Sequence, residues 1–200
     1  MGNQYRIANA GRLERTRLIF SKALNAGIDL VIEEQISPAA SKKLSRRVLG
    51  TLINRCPGLK QEDATRIVMP HARYSLTHCL NTVAAVANPF KHALGIGIDL
   101  EYGRSMDPRA ARFFLTHKEQ RIVDTLDTVQ RQLLRLWTVK EAIYKADLNN
   151  HCNFWFFDYE TQNPGALTGI ATKVNCPGKK KFRYASMPYQ DGFLTIAIAI

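Results

Sequence analysis

The stretch Gly95-Ile96-Gly97-Ile98-Asp99-Leu100-Glu101 lies near the middle of the 200-residue chain and decides how the rest is interpreted. Its apolar residues predict a buried strand that ends in two acids. Successive side chains of a strand point to opposite faces, so Asp99 and Glu101 share one face, about 7 Å apart, while Leu100 faces a core. Two such carboxylates are costly to bury unless a positive partner joins them, and oxygen ligands suit Mg²⁺. The pattern fits a metal site, and it fits equally a strand that surfaces into solvent with two harmless acids.

The composition is that of a packed globule with a strongly basic balance. The hydrophobic fraction is 46%, and no apolar run approaches the roughly 20 residues of a membrane span. Four widely spaced cysteines without a CxxC pair predict free thiols. The first residues lack an apolar signal core, so we expect a cytoplasmic protein without a membrane partner. The net charge of +11 implies an anionic partner but does not distinguish nucleic acid from a phosphorylated small molecule, an acidic protein or an anionic surface.

The order of predicted elements indicates an α+β fold. Helices are expected at 1–27 (as a helix or arm), from Ser37-Pro38 to Cys56-Pro57-Gly58, from Asp107-Pro108, from a capping box at Thr116–Glu119, and at 129–148. Strands are expected at 28–33, 66–69, 74–76, 82–87, 95–101, 153–159, 167–174, 181–187 and 193–200. The order of helical segments followed by strands thus occurs twice, which predicts two similar halves, 1–101 and 102–200.

The long helix near residue 140 carries a second unusual pattern. One helical stripe is apolar and predicts a core face, whereas the neighbouring stripe contains Trp137, Lys140, Glu141, Tyr144 and Lys145. Glu141 and Lys145 have the spacing of an ordinary surface ion pair, which is one explanation. Combined with Asp99 and Glu101, however, Glu141 supplies a third carboxylate. Lys145 then adds a cation beside the metal, an arrangement suited to phosphate chemistry.

The two patterns together resemble the paired signature of the 4′-phosphopantetheinyl transferases. Gly97–Glu101 has the form GIDxE, and Trp137–Ala146 has the form WxxKExxxKA. The likeness is greatest to the two-domain class that activates peptide and polyketide synthetases. It is strong over 97–146 and weaker from about residue 37 to the final strand. It implies a pseudo-dimeric monomer with its active site between the halves, transferring phosphopantetheine from coenzyme A to a serine of an acyl or peptidyl carrier protein and releasing 3′,5′-ADP.

The resemblance also implies roles for the residues of both motifs. Asp99, Glu101 and Glu141 would bind Mg²⁺, which would bridge to the pyrophosphate of coenzyme A. Glu141, or a water that it holds, would be the base for the carrier serine. Lys145 would stabilise charge on the phosphates or relay the proton, and Lys140 would lie near the same phosphates.

Further resemblance concerns the binding of coenzyme A. Tyr74-Ser75-Leu76-Thr77-His78 resembles a segment ending in Ser-His, whose histidine touches a coenzyme A phosphate; Thr77 stands at the serine, and His78 can also be a structural histidine at a strand end. The basic helix resembles one that grips the 3′-phosphate and adenine, although a solvated face explains it as well. Its candidates are Lys42, Lys43, Arg46 and Arg47, with Arg46 favoured by its distance from Leu49-Gly50.

Two other functions use the same residues. A Mg²⁺-dependent nuclease would need the acids, Lys145 and the positive charge, but the spacing is not the compact D…ExK pattern. A non-catalytic carrier-protein or nucleic-acid binder is a third interpretation, which the intact acids oppose. We therefore favour the transferase, whose anionic partners are coenzyme A and an acidic carrier protein rather than nucleic acid.

Overall fold

Two antiparallel sheets and the helices packed on them form a mixed α+β architecture, as predicted. The computed structural model describes residues 10–34, 41–56, 59, 63–150, 156–174 and 178–200. The α-helices are α1 (Ala10–Leu24), α2 (Ser41–Arg55), α3 (His117–Val123) and α4 (Val129–Ala146). The strands are β1 (Asp29–Glu33), β2 (Tyr74–Cys79), β3 (Thr82–Ala87), β4 (Ile96–Glu101), β5 (Tyr159–Thr161), β6 (Thr168–Lys173), β7 (Lys181–Tyr189) and β8 (Gly192–Ala199).

The first sheet has the order β1-β3-β2, with all pairs antiparallel. Its central strand β3 is buried along its whole length. Val83 and Ala85 face the core under α2, whereas Ala84 and Val86 face a second core shared with β4. Helix α2 buries Leu44, Val48 and Leu52, the residues that its spacing predicts for a core face. The small, β-branched composition of β3 is what allows layers to pack on both of its faces.

The second sheet has the order β4-β8-β7-β6-β5 and is also antiparallel. Strand β4 therefore pairs with the last strand of the chain, and Asp99 lies opposite Thr195. On the other side, β2 lies against β4, where the Ile98 amide donates to the Ser75 hydroxyl at 3.1 Å. The edge of one sheet thus meets the edge strand of the other through a polar contact. The proposed division at residues 101 and 102 stays a prediction.

Helix α4 lies across β4 and β8 at unusually short range. A methyl group built on Gly97 would come within 1.8 Å of the Ala142 carbonyl oxygen, and one on Gly95 within 1.9 Å of the Ala146 carbonyl oxygen. Any side chain at these positions would push the helix off the strand. The glycines of the opening stretch are therefore required for close packing, which brings the backbone of α4 next to the acidic end of β4.

Several local predictions are confirmed. The side chain of Asp107 accepts from the Arg109 amide at the start of a 3-10 helix, Pro108–Phe113, where an α-helix was expected. At α3 the capping box is complete, with Thr116 and Glu119 each accepting from the other's amide. In α1, Leu13 and Phe20 are buried, whereas Ile19 is partly exposed. No helix in the described part of the chain is long and apolar enough to cross a membrane.

Two predicted strands are wrong. Residues 66–69 form no strand, because the Asp63 side chain accepts from the amide and hydroxyl of Thr65 and turns the chain at residues 64–66. The Ile67 carbonyl then bonds to the Arg46 guanidinium instead of a neighbouring strand. The strand expected at 153–159 begins only at Tyr159. Phe156–Asp158 is a 3-10 turn, and residues 153–155 lie outside the described residues, as does the predicted helix start at Ser37-Pro38.

The variant Gly97→Ala tests the close packing of α4. We expect it to lower the free energy of unfolding by at least about 2 kcal/mol, since the new methyl meets backbone and cannot be relieved by a rotamer change. Urea denaturation measures the change. Gly50→Ala, in α2, is the matched control: its methyl has ordinary contact distance to Ala64, so we expect a gain of up to about 1 kcal/mol. Equal behaviour of the two variants would contradict the packing argument.

Candidate active site

Helix α4 is held over β4 by a chain of hydroxyl groups. The Thr138 hydroxyl donates to the Arg135 carbonyl at 2.7 Å and lies 2.7 Å from the Thr195 hydroxyl. Thr195 is the partner of Asp99 across β4 and β8. Glu141 is one helical turn beyond Thr138 and therefore reaches the same edge of the sheet. This contact, together with the close approach at Gly97, sets the position of the glutamate relative to the two acids of β4.

Asp99 is buried and uses its two carboxylate oxygens differently. Oδ1 accepts from the Lys145 ammonium at 2.7 Å and from the Thr77 hydroxyl at 3.2 Å. The same ammonium donates to the Ile98 carbonyl at 3.1 Å. Oδ2 is buried and has no hydrogen-bond partner within the described part of the chain. A buried carboxylate oxygen without a partner is costly, and it marks a place where a cation or a donor would bind.

Glu101 is half-buried at the end of β4. Its carboxylate pairs with Arg104 at 2.9 Å, and the Cys79 thiol lies 3.8 Å from its other oxygen. Burial raises the pKa of Glu101, the Asp99 carboxylate raises it further, and Arg104 opposes both effects. The Arg104 guanidinium also stacks over the Trp137 ring, 5.9 Å from its centroid, so this arginine connects the end of β4 with α4.

Glu141 has the most perturbed carboxyl group of the cluster. Burial raises its pKa from 4.5 to about 7, Lys145 lowers it, and the nearby charges of Asp99 and Glu101 raise it. Asp99, Glu101 and Lys145 are thus close enough to Glu141 for their charges to influence its pKa. A carboxylate with a pKa near neutrality is well suited to exchange a proton at physiological pH.

The donor set at this place fits a hard divalent cation. Asp99, Glu101 and Glu141 offer only oxygen, which Mg²⁺ prefers, and Asp99 Oδ2 is a buried oxygen that lacks a partner in the described structure. The described residues contain no group of three His, Cys, Asp or Glu side chains already arranged for metal binding. Instead, Lys145 and Arg104 pair with Asp99 and Glu101. Lys145 and Arg104 thus supply part of the positive charge that the buried acids of β4 require.

Lys140 corrects one prediction from the second motif. It was expected near the coenzyme A phosphates, but its side chain is fully buried. Its ammonium donates to both oxygens of Glu119, at 2.8 and 2.7 Å, and to the Tyr159 carbonyl. Glu119 also accepts from the amide and hydroxyl of Thr161. Because residues 140 and 141 are about 100° apart around the helix, one enters the core while the other faces the acids.

The basic residues of α2 were predicted to hold the 3′-phosphate. Arg46 donates to the carbonyls of Ala64 and Ile67 at 2.9 and 2.7 Å. Arg47 pairs with Glu33 at 2.9 Å. Both residues are exposed, so each combines a structural contact with access to solvent. The side chains of Lys42 and Lys43 lie outside the described residues, and the coenzyme A role of all four stays a prediction.

His78 is not part of the acidic cluster. It follows Thr77 on β2, and because strand side chains alternate, it points to the opposite face, where it is exposed. A cavity of about 240 Å³ lies beside the cluster instead. Its walls include Ser75 and Leu76 of β2 and Tyr144 and Lys145 of α4. The cavity therefore opens next to the lysine that binds Asp99.

Two residues with direct contacts to the acids were missed by sequence reasoning. Thr77 was noted only as standing at a family serine, although its alternation with Ser75 and Cys79 would have placed it on one face of a strand. Arg104 lies three residues after Glu101 and was not considered. The signal for Arg104 was its position just beyond the buried acids, where a cation is needed.

Comparison with protein families bears on this site. The model of the 4′-phosphopantetheinyl transferase superfamily matches residues 95–188. These residues form a 4′-phosphopantetheinyl transferase superfamily domain. The domain contains Asp99, Glu101, Glu141 and Lys145, so the resemblance carried by the two motifs is confirmed. A search of curated proteins found no match.

The family match covers only some of the residues predicted to form the site. It begins just before β4 and ends within β7, so α2, His78 and Thr77 lie outside it. Members of the superfamily act with coenzyme A on carrier proteins. Assignment to the two-domain class stays a prediction, and the nuclease alternative gains no support from the match.

The variant Lys140→Met distinguishes a structural lysine from a phosphate ligand. We expect it to lower the free energy of unfolding by about 3–5 kcal/mol, because Glu119 is left as an uncompensated buried charge. Thermal or urea unfolding measures the loss. Lys118→Met is the control, since Lys118 forms an exposed pair with Glu160 and is worth less than about 1 kcal/mol. Unchanged stability combined with a raised KM for coenzyme A would instead support a phosphate contact.

The variant Glu141→Gln tests the burial of Glu141 through pH. The folded pKa of about 7 lies above the ordinary 4.5, so the folded chain binds this proton more tightly, and stability from this group falls as pH rises from about 4.5 to 7. In EDTA at pH 8, Glu141→Gln should therefore raise the free energy of unfolding by roughly 2–3 kcal/mol.

At pH 5 the same gain should shrink to less than half, because the folded wild-type residue is then already neutral. Glu14→Gln is the control at an exposed glutamate on α1 and should show no comparable gain at either pH. Urea denaturation at the two pH values measures both variants. An equal gain for Glu141→Gln at pH 5 and pH 8 would contradict an origin in the buried charge.

Proposed function

We propose that this protein transfers the 4′-phosphopantetheine group of coenzyme A to a serine of an acyl or peptidyl carrier protein, with Mg²⁺, and releases 3′,5′-ADP. One observation carries the proposal. Lys145 bonds to Asp99 at 2.7 Å inside the superfamily domain that also contains Glu101 and Glu141, and Asp99 presents a buried oxygen without a partner in the described structure. Acids alone would suit many sites, but acids with an adjacent lysine suit a phosphorylated substrate.

The reaction requires one bond to form and one to break. The serine oxygen bonds to the phosphorus that carries the pantetheine arm, and the bond from that phosphorus to the bridging oxygen of the pyrophosphate breaks. The pair of electrons of that bond leaves with 3′,5′-ADP. Glu141, directly or through a water, accepts the serine proton, for which its pKa of about 7 is suited.

The cations of the site would stabilise the negative charge of the substrate phosphates. Lys145 lies between Asp99 and the cavity beside β2, so its ammonium is available to the phosphates of a substrate seated there. Asp99, Glu101 and Glu141 would hold Mg²⁺, which when bound neutralises charge on the pyrophosphate. The carboxylates of the chain would hold the metal's positive charge in place. Burial makes each electrostatic contact of the site stronger than it would be in water.

The cavity of about 240 Å³ is our candidate seat for part of coenzyme A. It combines apolar walls such as Leu76, an aromatic ring at Tyr144 and the ammonium of Lys145. A nucleotide needs both a planar apolar contact and a cation for its phosphates. Contacts of the α2 residues Lys42, Lys43, Arg46 and Arg47 with the 3′-phosphate and adenine stay a prediction, as does the contact of His78 with a coenzyme A phosphate. Arg46, Arg47 and His78 are exposed, which leaves them accessible to such a ligand.

The carrier protein would approach the segment between β4 and α4. Arg109 and Arg112 are exposed there, and Phe113 is 59% exposed, with the Arg112 guanidinium 4.7 Å from its ring centroid. An exposed aromatic ring among arginines is complementary to a partner with acidic and apolar side chains. The monomeric state stays a prediction. The cytoplasmic location stays a prediction.

The test is incubation of the protein with apo carrier protein, coenzyme A and Mg²⁺, followed by mass spectrometry of the carrier. We expect a gain of one phosphopantetheine group. Glu141→Ala should reduce the rate at least about 100-fold, since it removes both the base and a carboxylate ligand, while the variant stays folded by circular dichroism. Glu14→Ala, at an exposed position on α1, is the control and should transfer at the wild-type rate.

Two results would contradict the proposal. Absence of a mass gain across several carrier proteins, with cleavage of DNA or RNA under the same conditions, would favour the nuclease. Wild-type transfer by Glu141→Ala would remove this residue from the mechanism while leaving the transferase activity itself established.

A further inference from the structure

One face of β2 carries a row of small polar side chains directed at β4. Ser75 accepts from the Ile98 amide at 3.1 Å. Thr77 donates to Asp99 at 3.2 Å. Cys79 lies 3.8 Å from Glu101. Each step of two residues along β2 moves the contact further towards the acidic end of β4. Asp99 and Glu101 therefore each have a partner on β2. Such a match is expected when side chains of one strand face recur every second residue.

The contact of Thr77 has a consequence for the geometry of Asp99. A carboxylate can rotate about its Cβ–Cγ bond, and this torsion is broad when nothing restrains it. Here Lys145 and Thr77 both bind Oδ1. Fixing one oxygen from two directions fixes the plane of the group, so Oδ2 has a defined position. That oxygen is buried and lacks a partner in the described structure.

Thr77 is the more permanent of the two restraints. Lys145 is partly exposed, at 28% of its side-chain area, and its long side chain can exchange its bonds to Asp99 and the Ile98 carbonyl for an incoming phosphate. Thr77 is buried in a paired strand, and its β-branched side chain has few rotamers. When Lys145 turns to a substrate, the hydroxyl of Thr77 is the contact that still holds Oδ1.

We propose that Thr77 is a positioning residue that fixes the Asp99 carboxylate so that Oδ2 is presented to the metal ion. The inference rests on the proposed function, since it concerns the same metal. It goes beyond the superfamily domain, because residue 77 lies outside 95–188. The N-terminal sheet thus contributes to metal affinity through a side chain that need not touch the metal or the substrate.

Two substitutions separate the effect of the Thr77 hydroxyl from the effect of the shape of its side chain. Thr77→Val keeps the volume and branching but removes the donor, whereas Thr77→Ser keeps the donor and loses a methyl group. Thr168→Val, on the exposed end of β6, is the matched control for the same chemical change away from the site. Hydrogen bonds to the groups that ligate a metal typically contribute 10- to 100-fold in affinity.

The experiment titrates Mn²⁺ into each full-length protein and counts free Mn²⁺ by electron paramagnetic resonance. We expect Thr77→Val to raise the Kd roughly tenfold, Thr77→Ser to stay within about threefold of wild type, and Thr168→Val to have no effect. In the transfer assay, Thr77→Val should raise the Mg²⁺ concentration for half-maximal rate and leave the KM for coenzyme A unchanged. Circular dichroism checks that all variants are folded.

The outcomes separate this inference from the function on which it rests. Metal binding by wild type with an unchanged Kd in folded Thr77→Val would overturn the positioning role alone. An equal loss in Thr77→Ser and Thr77→Val would also overturn it, since packing rather than the hydroxyl would then be responsible. A wild-type protein that binds no Mn²⁺ and modifies no carrier would overturn the proposed function, and the inference with it.

Discussion

The contact between the backbones of α4 and β4 is the constraint on which the site depends. Gly97 lets the Ala142 carbonyl approach to a distance that no side chain permits, and Thr138 joins Thr195 from the same helix. Moving the helix outwards by the width of a methyl group would take Glu141 away from Asp99. The electrostatic coupling of these carboxylates is therefore a consequence of packing and not of a separate ligand-binding loop.

The same helix divides its charged residues between two tasks. Lys140 points into the core, where its ammonium donates to the Glu119 carboxylate and the Tyr159 carbonyl. Glu141, the next residue, is left among carboxylates, and burial raises its pKa to about 7. The paired Lys140 fixes the docking of α4 on α3 and β5, since breaking a buried pair is costly, while the raised pKa of Glu141 lowers stability at neutral pH. The first interaction helps to offset the cost of the second, as is typical of active sites.

How much of this could be predicted from sequence depended on whether the deciding force is local. The capping box at Thr116, the core face of α2 and the acid pair on β4 follow from spacing and were predicted correctly. The strand predicted at 66–69 was wrong because the Asp63 side chain bends the chain at Thr65 and because Arg46, 21 residues away, binds the Ile67 carbonyl. Lys140 was placed near the coenzyme A phosphates by the family resemblance, and its buried partner Glu119 is distant in sequence. Missed contacts such as Lys140–Glu119 and Thr77–Asp99 are long-range, whereas the pair Arg104–Glu101 was a local signal that was overlooked.

The polar row on β2 shows why two sheets are needed for one small site. A buried acid such as Asp99 requires donors from more than one direction, and β8 supplies only backbone pairing to β4. Lys145 on α4 provides one donor and Thr77 on β2 provides another. An apolar side chain at Thr77 would keep the contact between the sheets but would leave the orientation of the carboxylate to Lys145. The hydrogen bond of Thr77 therefore fixes the orientation of the carboxylate at little cost in packing energy. Hydrophobic contacts are non-directional and do not fix an orientation.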